Sequence, residues 1–89
     1  MISAPVTIVN KLGLHARAAS RLVNCASGFA AEIEVVRGTR AVNAKSIMGV
    51  LTLAAAIGTE LVIEADGPDE QQALDAIVAL FMDRFGEDE

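Results

Sequence analysis

Two positions in this sequence pair a reactive side chain with surroundings that let it react, and both stand where a helix is expected to begin. The first is His15, the only histidine, within Asn10-Lys11-Leu12-Gly13-Leu14-His15-Ala16-Arg17-Ala18-Ala19-Ser20. An imidazole in general changes charge near neutrality, so a free ring nitrogen is available at pH 7 to attack phosphorus. Phosphoryl transfer asks mainly for positioning and charge compensation. Arg17 and the unpaired N–H groups of a helix start are suited to both tasks. On spacing alone, however, one histidine near one arginine is more often an ordinary polar turn. The second position is Ser46, preceded by Lys45, where a serine oxygen can cap the first turn of a short helix. A phosphate there would be tolerated by the fold while adding about two negative charges. Spacing does not choose between a plain cap and a regulatory site. Ile47, Met48 and Leu51 follow on the same segment, as a docking patch if exposed and as core if buried.

Composition narrows what these groups can serve. Eighty-nine residues with 53% hydrophobic content predict a single domain over residues 1–89. With no tryptophan or tyrosine and three phenylalanines, stacking on nucleic-acid bases is poorly supported, so no nucleic-acid partner is expected. The start Met1-Ile2-Ser3-Ala4-Pro5 lacks the pattern of a targeting signal and no apolar run reaches membrane-spanning length, so the protein is expected to be cytoplasmic and not membrane-inserted. Cys25 stands alone and is read as a small hydrophobe, with a redox role as the minor alternative. Neither a metal site nor a cofactor is implied. Net charge is −5, unevenly spread. Residues 1–45 carry Lys11, Arg17, Arg21, Arg37, Arg40 and Lys45 against two glutamates, whereas the remainder has Arg84 against ten acids. Arg37 and Arg40 read as solvated charge. Lys11, Arg17, Arg21 and Lys45 read as a positive field for an anion or an acidic partner.

The elements that must position the two sites follow from periodicity. Residues 4 to 9 read as a strand with Val6 and Ile8 on one face, and Pro5 suggests an edge. Ala16 to Ser27 reads as an amphipathic helix with Ala19, Leu22, Val23 and Ala26 as its core stripe and Gly28 as a left-handed cap. Ala31 to Val35 alternates as a half-buried strand, Arg37-Gly38-Thr39-Arg40 reads as a hairpin turn, and Ala41 to Asn43 returns. A short helix follows Ser46, weakened by Gly49, and Glu60 to Ala65 is a further strand. Asp69 and Gln72 resemble a capping box opening a last helix to about Phe85, with Leu74, Ile77, Val78, Phe81 and Phe85 inward. Gly86 to Glu89 is expected to be a frayed acidic tail. The order predicts an α+β domain with an antiparallel sheet covered on one face by helices.

The segment Asn10 to Arg17 with Ala19 resembles the active-site motif of the HPr family, the histidine phosphocarriers of the bacterial phosphotransferase system. Asn43-Ala44-Lys45-Ser46-Ile47-Met48-Gly49-Val50-Leu51 resembles the family's second, regulatory motif. The likeness extends over essentially the whole chain. It implies an open-faced β-sandwich, with four antiparallel strands covered by three helices on one face. It also implies that His15 accepts a phosphoryl group on Nδ1 from phosphorylated enzyme I and passes it to an A-type component of an enzyme II, with Arg17 neutralising the phosphoryl oxygens. In this reading the chain is a covalent intermediate rather than an enzyme, a monomer that meets its partners transiently. The docking face would map onto Ala16, Ser20, Ile47, Met48 and Leu51. Ser46 would be the target of an HPr kinase/phosphorylase in members so regulated, weakening acceptance from enzyme I.

Two departures bear on the site. Ala18 stands where the family usually has proline, which affects the angle at which the helix starts, and Asn24 stands where a basic residue is frequent, leaving Arg21 to supply that charge. The ending Ala76-Ile77-Val78-Ala79-Leu80-Phe81 looks like the nitrogen-related branch, whereas Lys45-Ser46-Ile47-Met48 looks like kinase-regulated members. The residues by themselves also permit a regulatory module of ferredoxin-like topology that binds a partner without covalent chemistry, or a small phosphatase using Arg17.

Overall fold

Alternating apolar and polar residues in four short segments build one sheet whose inner face is aliphatic, and three helices close over that face. In the computed structural model, which describes residues 1–89, the order is β1 (Ile2–Thr7), α1 (Ala16–Ser27), β2 (Glu32–Arg37), β3 (Arg40–Asn43), α2 (Ile47–Thr52), β4 (Glu60–Asp66) and α3 (Glu70–Met82), with a 3₁₀ turn at Arg84–Gly86. All neighbours are antiparallel in the order β1-β4-β2-β3. Val6 pairs with Leu61, and Val35 sits between Val42 and Ile63, which puts these side chains in cross-strand contact on their shared faces. The ferredoxin-like arrangement fails on this order, because there the first strand is interior, whereas here β1 is an edge paired only with β4. Pro5 therefore lies on an edge strand, where its missing donor does least harm.

The core is nearly aromatic-free. Ile33, Val35, Leu61 and Ile63 from the sheet meet Ala18, Ala19, Leu22 and Ala26 from α1, and Ala73, Leu74, Ile77 and Phe81 from α3. Leu22 has no exposed surface, so truncating it to alanine would cost about 3 kcal/mol. The three buried alanines of α1 let it lie close against its neighbours, with Arg17, Arg21 and Asn24 left outside. The opposite face of the sheet is open, carrying Glu32, Glu34 and Glu60 with Val62 partly exposed.

Four local expectations are corrected. β1 starts and ends two residues earlier than the 4–9 reading, because Ile8 and Val9 leave the ladder; Ile8 instead bonds the loop before β4, its N–H donating to Thr59 and its carbonyl accepting from Gly58. Gly28 is right-handed (φ −77°), its N–H donating to Cys25, so α1 ends in a tightened turn rather than a left-handed cap. Asp69 does not close a capping box. Its carboxylate reaches across to accept from the amides of Ala30 (2.9 Å) and Ala31 (2.8 Å), and Glu70 is the residue that turns back, accepting from Gly67 N–H. Finally, α3 stops at Met82, and Arg84 and Phe85 are both left-handed (φ 56° and 54°). Phe85 is nonetheless buried, its ring edge-on to Phe81 at 4.8 Å.

Candidate functional site

The loop between β1 and α1 is shaped by Gly13. Its φ is +68°, and a Cβ there would stand 2.4 Å from the Ala55 carbonyl oxygen, a position no other residue can occupy without moving backbone. Leu14, next in sequence, donates its N–H to that same carbonyl and buries its side chain. His15 is consequently presented as the N-cap of α1. Its carbonyl accepts from Ala19 N–H at 2.8 Å, and its Nδ1 accepts from Arg17 N–H at 3.3 Å. Histidine is an unusual cap, and the ring does here what a serine oxygen does at other helices. Ala18, where a proline was expected from the resemblance, is fully buried within an unbroken first turn.

The tail does not fray. The left-handed pair Arg84-Phe85 turns the chain back over the start of α1, where Arg21 donates through Nη1 to the Phe85 carbonyl. Lys11 donates its backbone N–H to the Glu89 carbonyl at 3.0 Å, and its Nζ lies 3.4 Å from the Glu89 carboxylate. Between these anchors, Glu87 Oε2 stands 2.5 Å from His15 Nε2. The other oxygen, Oε1, accepts from Asn10 Nδ2 at 2.9 Å. Asn10 is fully buried and also donates to the Gly13 carbonyl at 2.8 Å, so one side chain ties the loop to the tail. The Asn10 bond, followed by the bond from His15 and the nearby charge of Arg17, holds the Glu87 carboxyl below its ordinary range despite desolvation. Glu87 is thus ionised and only accepts, which makes Nε2 the protonated nitrogen of the neutral ring and leaves the lone pair on Nδ1.

The expected site residues do not all come together. Arg17 is exposed and has no carboxylate partner, and its charge lies near enough to Glu87 to help lower that carboxyl. With Lys11, Arg21 and the tail it lines a cleft of about 500 Å³. Arg21 was expected to stand in for a docking charge at Asn24, and it is instead engaged with the tail. Lys45 is likewise committed, donating from Nζ to the Phe29 carbonyl at 2.8 Å. Ser46 caps α2 as anticipated, with Oγ accepting from Gly49 N–H at 3.1 Å. Gly49 weakened the helix reading for want of a side chain, and the reason for it is proximity, since a Cβ there would lie 3.2 Å from Ser46 Oγ. Met48 is 68% exposed and Ile47 is 38% exposed, while Leu51 is half-buried and Val50 fills the core. α1 packs directly against α2, and on α1 Ala16 is exposed and Ser20 half-buried. Leu12, also 68% exposed, was not singled out from the sequence, nor were Asn10 and Glu87. Cys25 is half-buried, and desolvation pushes its thiol up, which favours the small-hydrophobe reading.

Residues 2–83 match the family model described as the PTS HPr component phosphorylation site. The chain belongs to the HPr family. It is 53% identical to the phosphocarrier protein HPr of Cupriavidus necator over 89 residues, covering all of both chains. It is 48% identical to the phosphocarrier protein NPr of Shewanella violacea, over 92% of this chain and 90% of that one. Among solved structures, HPr-C-His from Thermoanaerobacter tengcongensis superposes with a TM-score of 0.96 at 42% identity, covering each chain completely. The open-faced α+β sandwich is therefore the family's fold, and an HPr phosphocarrier of the phosphotransferase system is what this chain is at the level of family.

Proposed function

We propose that this HPr protein is a phosphoryl carrier in which His15 Nδ1 is the acceptor, loaded by phosphorylated enzyme I and discharged to an A-type component of an enzyme II. The observation that carries the reading is the asymmetry of the ring: Nε2 is paired with Glu87, and the Nδ1 lone pair faces the start of α1, near the Arg17 amide. Phosphoryl oxygens arriving at Nδ1 would meet the amides at the start of α1, including the Arg17 N–H that now donates to Nδ1, and the unpaired Arg17 guanidinium. The chain is consumed and regenerated by its partners, and is not itself an enzyme. Its expected setting is a cytoplasmic monomer, in keeping with the lack of any helix long and apolar enough to cross a membrane. Ala16, Ser20, Ile47, Met48 and the half-buried Leu51 form the proposed docking face, with Ile47 and Met48 supplying exposed apolar surface next to the site.

Incubation with enzyme I and phosphoenolpyruvate, followed by mass spectrometry, tests the assignment. One acid-labile, alkali-stable phosphoryl group is expected on His15 and none on His15→Ala; full labelling of that variant would sink it. Continuous hydrolysis of acyl phosphates by the protein alone would point instead to a phosphatase. For Ser46 we propose regulatory phosphorylation by an HPr kinase/phosphorylase, supported by its exposed apolar neighbours and its position at a helix start. If cognate kinase with ATP leaves Ser46 unmodified, this regulation does not operate here.

A further inference from the structure

We infer that Glu87 is a positioning residue for phosphoryl transfer at His15: its carboxylate, held by buried Asn10, orients the imidazole and faces the charge that the ring gains when the P–N bond forms. The inference rests on the carrier reading above and concerns a residue outside the two sequence motifs.

The geometry is specific to one carboxylate. Three other acids lie close in sequence, Asp83, Asp88 and Glu89, and none of them touches the ring; Glu89 is taken up by Lys11. Glu87 is only 10% exposed, and each of its two oxygens has its own donor, His15 Nε2 and Asn10 Nδ2. The Asn10 amide cannot be turned over, because its oxygen would then face the Gly13 carbonyl and the Glu87 carboxylate, both acceptors. The tail is fixed on either side of Glu87, by Arg21 on the Phe85 carbonyl and by Lys11 on the Glu89 carbonyl. The carboxylate is therefore placed by the loop, by α1 and by the left-handed turn together, and it approaches the ring nitrogen remote from the reacting one.

The step balances without an added base. The Nδ1 lone pair forms a bond to phosphorus, the bond from phosphorus to the donor breaks, and its electron pair stays with the donor. No proton leaves the chain. The neutral ring, already carrying its proton on Nε2, becomes a phosphoimidazolium whose positive charge faces Glu87 across an existing hydrogen bond. Discharge runs the same path in reverse, returning the ring to the lone-pair state with the Nε2 proton in place.

The test compares wild type with Glu87→Ala, Glu87→Gln and, as a charge control, Asp88→Asn. Proton and nitrogen NMR of the His15 ring reads orientation independently of any partner. Wild type and Asp88→Asn are expected to show a slowly exchanging Nε2 proton, Glu87→Gln a faster one, and Glu87→Ala none. Labelling by enzyme I and phosphoenolpyruvate is expected to be about tenfold slower in Glu87→Ala, with Glu87→Gln between the two. A Nε2 proton as persistent in Glu87→Ala as in wild type overturns the inference, and so does a labelling rate within about twofold of wild type. No labelling of wild type would remove the carrier reading, and the transfer role of Glu87 with it, while the NMR signal still reports the ring–carboxylate pair.

Discussion

His15 and Ser46 both stand as the N-cap of a helix, each accepting a backbone N–H from its own first turn, yet the two are held very differently. The Ser46 hydroxyl is complete within its helix: its partner is Gly49, three residues on, and no distant residue is needed. The imidazole is shared, with one nitrogen serving α1 and the other joined to Glu87, 72 residues away. In both residues the atom that would be modified is the one that accepts the cap bond, and Ser46 has no second anchor. The imidazole has one, and under the proposed function Glu87 would hold the ring in orientation while Nδ1 accepts the phosphoryl group.

Several substitutions would break or sharpen that contrast. Gly13→Ala should have the largest effect, because it places a Cβ against the Ala55 carbonyl at a left-handed position; about 3 kcal/mol of stability should be lost in urea denaturation, and labelling of His15 should fall with it. Arg17→Ala should leave urea stability unchanged and slow labelling roughly tenfold, less than loss of a buried donor would, since the guanidinium is exposed. Equal rates for the two proteins would mean that the backbone amides suffice. Ser46→Ala should cost about 1 kcal/mol through the lost cap while His15 labelling proceeds normally, separating the structural duty of that hydroxyl from the chemistry next door.

The smallest effect is a pH dependence. Asp69, Glu70 and Glu87 all have carboxyls lowered in the folded chain, each first of all by a hydrogen bond: Asp69 and Glu87 from the distant Ala30 and Asn10, Glu70 from Gly67 three residues before it. An acid with a lowered folded-state value contributes stability above its unfolded value and loses it as pH falls through the folded one. Urea midpoints should therefore be level near neutrality and decline below about pH 4, the ordinary carboxylate range. Asp69→Asn should flatten that decline; an identical slope in the variant would show that the Ala30 and Ala31 contacts contribute nothing.

The same contrast explains what was legible in the sequence. α1, the hairpin and both caps follow from patterns within a few residues, and local chemistry decides them: Ser46 before an apolar run, or Gly13 before the histidine. The Asp69 expectation failed because two amides on the far side of α1 compete for the same carboxylate. The tail was read as frayed because four polar residues carry no apolar pattern, and because the turn placing them uses Arg84 and Phe85, residue types that seldom take left-handed geometry. Phe85 did lie on the predicted apolar stripe beside Phe81 and is buried, but its left-handed backbone and the bond its carbonyl accepts from Arg21, 64 residues away, are not contained in any window of sequence. Glu87 and Asn10 meet only through that turn, so the contact that holds the ring was invisible in a motif that showed the residues proposed to react.

The short link after α1 has a consequence for how motion is distributed. Three successive residues are fastened from outside: the Phe29 carbonyl by Lys45, and the Ala30 and Ala31 amides by Asp69. One clamp thus joins the end of α1 to the approaches of α2 and α3, at the pole opposite His15. The amide hydrogen of Ala30 should exchange slowly for so exposed a residue. The clamp sits at the end of α1 remote from His15 and beside the start of α2, so it ties the helix that carries the imidazole to the segment that carries Ile47 and Met48.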